Sequence, residues 1–146
     1  MTYRETVNLG EKVLSMADIA EAKTDAWLLL EMVCKIDRSF YYLHMAEEMP
    51  EEQMSEYQIA LRKRAEHVPL QYIVGEWEFL SLPIRVEEGV LIPRPDTETV
   101  ALAAASFLEG RGPGARFLEL GSGSGCISVA LAKRTGCSGA AVDVSE

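Results

Sequence analysis

The apolar and polar positions of the chain change period about halfway along it. Thr2 followed three residues later by Glu5 is a capping-box pattern, and Tyr3, Val7, Leu14 and Ala17 then recur close to one helical face. A second helix is predicted from about Ala22 to Ile36, with Ala26, Leu29, Leu30, Val33 and Cys34 forming a wide apolar stripe. Ser39 to Met45 reads as a short aromatic-rich segment. Pro50 opens a fourth helix, with Glu51 and Glu52 in its first turn, where the helix dipole favours acids. Met54, Tyr57, Leu61 and Ala65 mark its buried side. Four amphipathic segments in so short a stretch predict a small helical bundle.

The pattern changes at Val68, because Pro69 cannot continue the helix. Glu76 to Phe79 and Pro83 to Val86 are short extended runs flanking Leu80-Ser81-Leu82, which predicts a β-hairpin. A short apolar run, Val90 to Ile92, leads into Pro93-Arg94-Pro95, where the prolines enforce extended backbone. Asp96 or Thr97 is then positioned to cap a helix reaching about Leu108, with Val100, Ala101, Ala104 and Leu108 on its apolar side. Gly110 to Gly114 is a breaker. After it come a short strand from Ala115 to Leu120, a glycine loop, a helix from Ile127 to Lys133 ended by Gly136, and a second buried strand from Gly139 to Val142. This strand–loop–helix–strand order is the opening unit of a doubly wound α/β fold. The expected class is therefore α+β in two parts. A helical domain over 1–73 and a hairpin connector over 74–95 precede the incomplete start of an α/β domain over 96–146.

Composition narrows the class of protein. Hydrophobic residues make up 48% and charged residues 25% of the chain, values that favour a folded chain over a disordered one. A formal net charge of -9 opposes nonspecific attraction to phosphate backbones. The local basic cluster Arg62, Lys63, Arg64 beside His67 reads as a solvated helix end. No stretch has the pattern of a signal peptide or the length of a membrane span. Three cysteines, Cys34, Cys126 and Cys137, form no CxxC pair, which favours a reduced, cytoplasmic setting. No Cys/His cluster has metal-ligand spacing, and His44 and His67 lie far apart in sequence.

The candidate chemistry lies in Phe117-Leu-Glu-Leu-Gly-Ser-Gly-Ser-Gly-Cys126. Gly121, Gly123 and Gly125 permit a sharp turn and close approach to a ligand, and the helix that follows aims free N–H groups at the loop. The spacing is GxGxG, and Cys126 stands where a dinucleotide fingerprint wants Gly or Ala, which argues against NAD or FAD. No Lys-Ser/Thr pair follows, so it is no P-loop. Asp143 ends the second strand at about the offset expected for an acid binding both ribose hydroxyls. Its alternative role is to cap a following helix; the glycine loop at this distance favours ribose. Glu119 can hold the glycine loop through backbone N–H groups or reach a ligand amino group through water. Ser122 and Ser124 read as hydrogen-bonding members of the loop rather than nucleophiles, since no histidine base lies near them in sequence.

Glu119 through Gly125 followed by a strand-end acid resembles motif I and the ribose acid of class I methyltransferases. The stretches from Pro69 to Phe79 and from Val90 to Glu98 closely resemble the connector of the HemK/PrmC family, the peptide chain release factor glutamine N5-methyltransferases, and the helical front end is similar in kind. The resemblance implies a Rossmann-like domain that binds S-adenosyl-L-methionine. Gly121, Ser122, Gly123, Ser124 and Gly125 would cradle the cofactor's methionine end, Asp143 would hold its ribose, and the connector around Arg94 would lie near the pocket. It also implies a class I release factor as protein substrate, methylated on the glutamine of its Gly-Gly-Gln motif and docked by the helical domain, with neither nucleic acid nor membrane as partner. In the family an Asn-Pro-Pro-Tyr motif orients the substrate amide. The chain contains no such motif, so no catalytic residue is assigned and no methyl transfer is expected from this stretch alone. Exposed apolar surface is expected around Val129, Leu131 and Val142, with some tendency to aggregate. Two competing readings are an adenine-N6 nucleic-acid methyltransferase and a non-catalytic docking module with a vestigial cofactor lobe.

Overall fold

The computed structural model describes residues 1–112 and 114–145; Pro113, within the predicted breaker, and Glu146, the last residue of the 96–146 domain, lie outside the described residues. The chain forms two compact units, Met1–Val74 and Gly75–Glu146.

The first unit is helical. α1 (Tyr3–Met16), α2 (Ala22–Cys34), α3 (Arg38–His44), α4 (Glu51–Ala65) and α5 (Leu70–Val74) follow in order. The capping box forms at the start of α1: Thr2 N–H donates to Glu5 Oε2 at 2.9 Å, and Glu5 N–H donates to Thr2 Oγ1 at 3.3 Å. The next N–H groups of α1 do not go unpaired. Tyr3 and Arg4 donate to the carbonyls of Glu47 and Met45 in the loop between α3 and α4. Asp37 caps α3 by accepting from Phe40 N–H at 2.7 Å.

α1 packs on α2 and α4, and α2 on α4 and α5. The buried stripe of α1 is Tyr3, Thr6, Gly10 and Leu14, so the expected Val7 and Ala17 are only half-buried. Two small or polar residues replace them because α4 approaches closely. A Cβ at Gly10 would collide with the Tyr57 hydroxyl, which itself donates to the Ala26 carbonyl at 3.1 Å. Thr6 is fully buried and satisfied, its hydroxyl donating to Thr2 O at 2.9 Å. Around this knot Leu14, Leu29 and Leu30 are completely removed from solvent, each contributing about 1.5–3 kcal/mol of hydrophobic stabilisation.

The basic cluster at the end of α4 departs from the expected solvated surface. Arg62 and Lys63 are exposed, but Arg64 turns inward: its Nε donates to Asp25 Oδ2 at 2.7 Å and its Nη1 to the Val68 carbonyl at 3.1 Å. Asp25 is a buried charged residue on α2, and a buried carboxylate requires a partner. Beyond Pro69 the chain turns into the short helix α5.

The second unit opens with an antiparallel hairpin, β1 (Glu76–Phe79) and β2 (Leu82–Arg85), in which Phe79 pairs with Leu82. The turn is therefore the two residues Leu80 and Ser81, one fewer than expected, with φ of 50° and 62°. Leu80 N–H donates to Glu98 Oε1 at 2.8 Å, which anchors the turn. α6 (Pro95–Arg111) is capped at Arg94 rather than at Asp96 or Thr97, so it begins at least two residues earlier than predicted, and it ends three later. Pro95 serves as its first residue, where a missing N–H costs nothing. Its buried side is Ala101, Ala105 and Leu108. Val100 is 61% exposed, so the apolar stripe is rotated from the expected one.

β3 (Arg116–Leu120), α7 (Cys126–Thr135) and β4 (Ser138–Val142) form a β-α-β unit in which the two strands are parallel, Leu118 opposite Ala140 and Leu120 opposite Val142. Gly136 ends α7 in the left-handed conformation, as its position predicted. One small core joins the hairpin to the helices through Phe79, Ile84, Ala101, Cys126 and Ala130; another gathers Ala105, Leu108, Leu131 and Cys137. Leu131 is thus buried against α6, contrary to the expected exposure, whereas Val129 and Val142 are exposed. Leu118 and Leu120 are exposed as well, being opposite in pleat to Phe117, which packs toward the second cluster.

Candidate functional site

The loop between β3 and α7 wraps onto the end of β4. Gly121 N–H and Ser122 N–H both donate to the Val142 carbonyl, at 2.8 and 3.1 Å, and Gly125 N–H donates to Ser122 O at 2.8 Å. Gly123 N–H donates to Asp143 Oδ2 at 2.7 Å, and the other carboxylate oxygen accepts from Ser145 N–H at 3.0 Å. These two bonds, Ser145 first and Gly123 second, hold the Asp143 carboxyl below the ordinary aspartate range. Gly121, Gly123 and Gly125 all have positive φ; at Gly123 it is 51°, and the space where a Cβ would stand is open. Glycine there keeps the loop unstrained and leaves that space clear.

Glu119 does not bind the loop's N–H groups. Its Oε2 accepts from the backbone N–H of Ser128 at 3.0 Å and from the Ser128 hydroxyl, so it closes the first turn of α7 instead. An acid is well placed there, since the Gly125 N-cap has no side chain and a helix N-terminus attracts negative charge.

A cavity of about 480 Å³ opens above this loop. Gly121, Ser122, Gly123, Ser124 and Asp143 line it, so the structure brings together these five predicted residues; Gly125, at the N-cap of α7, only adjoins it. The segment from Gly89 to Arg94 forms another wall, with Thr97 from the first turn of α6. Sequence reasoning named Thr97 only as a candidate helix cap and Ile127 only as a helix start, and it did not single out Ser145; all three line the cavity. Ser145 carries a readable signal, an Asp-x-Ser pattern in which the Asp side chain turns back on the backbone two residues on. Thr97 and Ile127 carry none, because their placement depends on how α6 and α7 pack.

Asp143 presents a charged acceptor at the cavity wall, and its two oxygens retain lone pairs beyond the bonds they make. Cys34, Cys126 and Cys137 are all free thiols and buried; burial, with Glu56 nearby, pushes the Cys34 thiol up to about 11. Among the described residues no group of three or more His, Cys, Asp or Glu could hold a metal ion, and no helix is long and apolar enough to cross a membrane.

Residues 5–75 match the family described as the PrmC N-terminal domain. The chain is 38% identical over 142 residues to the release factor glutamine methyltransferase of Fusobacterium nucleatum, an alignment covering 95% of this chain and 40% of that protein. It is 40% identical over 133 residues to the protein of the same name from Cereibacter sphaeroides, covering 90% and 46%. With that of Koribacter versatilis it shares 34% over 133 residues, covering 91% and 47%. The chain spans less than half the length of these curated relatives. By these matches residues 5–75 belong to the PrmC N-terminal domain family, and the chain is similar over most of its length to release factor glutamine methyltransferases.

Proposed function

We propose that this chain is the front part of an S-adenosyl-L-methionine-dependent, cytoplasmic enzyme that N5-methylates the glutamine of the Gly-Gly-Gln motif in class I release factors during translation termination. The observation that carries the cofactor half is the cavity lined by the glycine loop and Asp143. Residues 96–146 are then the beginning of a Rossmann-like cofactor-binding domain, 74–95 its connector, and 1–73 the part that docks the release factor.

The residues present fit the cofactor. Gly121, Ser122, Gly123 and Ser124 shape a wall with little side-chain bulk, Gly125 adjoins it, and Asp143 supplies the acceptor for the ribose hydroxyls. When bound, the cofactor supplies an electrophilic methyl group on a sulfonium. An amide nitrogen is a weak nucleophile, so transfer depends on holding it close and in line. The chain's own contribution is to fix and orient the cofactor. It holds no Asn-Pro-Pro-Tyr motif to orient the amide, so binding rather than turnover is the activity expected of it.

Isothermal titration of S-adenosyl-L-methionine into the chain tests this reading, with Asp143→Ala and Gly123→Val as controls. Uptake weakened by both substitutions supports it. A folded chain that takes up no cofactor, or uptake indifferent to both substitutions, removes the cofactor assignment. A parallel pull-down with a purified class I release factor tests docking, and no retention by the folded chain removes that part.

A further inference from the structure

The seven residues of α3 include three aromatics and a leucine, yet none of them is buried. A helix this short does not hold itself in water, so its surroundings hold it. Asp37 caps it at Phe40 N–H, the Phe40 ring meets Tyr3 edge-on at 6.4 Å, and Tyr41 meets the buried Trp27 at 5.2 Å. Those contacts use one side of α3. On the other, Tyr42 is 62% and Leu43 80% exposed, carried outward on a braced backbone. Neither adds to the core of the first unit.

Cations surround this pair. Arg38 lies one turn before Tyr42, so the two side chains are neighbours on the helix surface, and its guanidinium sits over the Trp27 ring at 4.8 Å. Lys35 ends α2 three residues before Arg38. Burial pushes the Tyr41 hydroxyl pKa up, and nearby Arg4 opposes that rise. Among the described residues no ion pair engages Arg4, Lys35 or Arg38. Two of the acids beside them are turned to other uses, Asp37 to the cap and Glu47 to His44 Nδ1 at 2.8 Å. On a chain of net charge -9 the result is a local surface of two large apolar side chains rimmed by cations.

We propose that α3 is the docking face of the first unit, and that it receives a segment of the release factor presenting apolar side chains flanked by carboxylates. The assignment rests on the reading of residues 1–73 as the docking part. Tyrosine and arginine are the residues that most often carry binding energy at protein interfaces, and a braced helix loses little freedom when a partner covers it.

The test measures by calorimetry the affinity of a purified class I release factor for the wild-type chain, Tyr42→Ser/Leu43→Ser, Arg38→Glu and Met16→Ser. Met16 is an exposed apolar residue at the opposite end of α1 from Tyr3, and it serves as the control. All four side chains lie outside the core, so the urea midpoint is expected to stay near that of wild type. The double substitution is expected to cost roughly tenfold or more in affinity. Arg38→Glu should lose several-fold and show a shallower dependence on salt, and Met16→Ser should lose nothing. Unchanged affinity in the double variant overturns the assignment while leaving docking elsewhere on the unit standing. An equal loss in Met16→Ser also overturns it, because it marks unspecific apolar contact. Tighter binding by Arg38→Glu overturns the acidic character of the partner segment. A wild-type dimer in sedimentation that the double variant abolishes gives the face to a second copy of the chain instead. A folded wild-type chain that binds no release factor removes the docking reading, and the α3 face with it.

Discussion

Asp143 Oδ2 accepts a hydrogen bond from the backbone N–H of Gly123 at 2.7 Å, tying the end of β4 to the middle of the glycine loop. The carboxylate proposed to bind a ribose therefore also organises the loop facing it. The two roles separate by substitution. Asp143→Asn keeps an oxygen for Gly123 but loses the charge, whereas Asp143→Ala loses both. Asp143→Ala is expected to speed hydrogen exchange at the Gly123 amide, with Asp143→Asn closer to wild type. Both should weaken cofactor uptake. Slow exchange at Gly123 in Asp143→Ala would show that the loop holds itself.

The pH dependence of this tether follows from the lowered Asp143 pKa. The folded-state value lies below the unfolded one, so the contribution is complete above the ordinary aspartate value. It is lost as pH falls through the lowered folded value. Exchange at the Gly123 amide, after correction for intrinsic rates, should stay protected through neutral and mildly acidic pH and lose protection only in strong acid. Loss of protection near neutrality would contradict the geometry.

Gly10 and Tyr57 are coupled through a close approach of α1 and α4. Gly10→Ala places a Cβ against the Tyr57 hydroxyl and is expected to cost about 1–3 kcal/mol in urea unfolding, despite alanine's better helix propensity. Tyr57→Phe should cost about 1 kcal/mol, through the lost bond to the Ala26 carbonyl. In the Tyr57→Phe background Gly10→Ala should cost less, a non-additivity typical of residues in contact. Simple additivity would place the strain elsewhere.

Arg64 and Asp25 form an ion pair between α4 and α2, with side-chain exposures of 18% and 8%. Removing the cation leaves a buried carboxylate, so Arg64→Met is expected to destabilise the first unit by about 2–4 kcal/mol. The double variant Arg64→Met/Asp25→Leu should recover much of that loss, as measured by denaturant midpoint. If Arg64→Met alone proves neutral, the pair contributes nothing to stability.

The hairpin turn carries two non-glycine residues at positive φ, Leu80 and Ser81. Leu80 packs against the Phe79 and Ile84 cluster, which offsets its strained backbone; Ser81 is exposed and has no such compensation. Ser81→Gly is therefore expected to stabilise the second unit by about 0.5–1 kcal/mol in thermal melts. A destabilising effect would mean that the greater freedom of glycine in the unfolded chain outweighs the relief of strain.

Much of this protein was legible in the sequence because the signals were local. The Thr2–Glu5 capping box, the Gly136 helix stop, the hairpin on either side of Leu80 and Ser81, and the loop from Gly121 to Gly125 each depend on residues a few positions apart, where backbone sterics and capping dominate. Tertiary structure decided the rest. It buried Thr6 and Gly10 in place of Val7 because α4 crosses α1 there. It turned Arg64 inward to a carboxylate 39 positions earlier in the chain, left Val100 in solvent and buried Leu131. A helix with apolar residues around much of its circumference can bury more than one stripe, and only the neighbour that packs against it selects which. The same holds for the site: sequence named the glycines and Asp143, and the resemblance put Arg94 near them, but packing placed Thr97 and Ile127 in the same cavity and committed the loop's N–H groups to the protein.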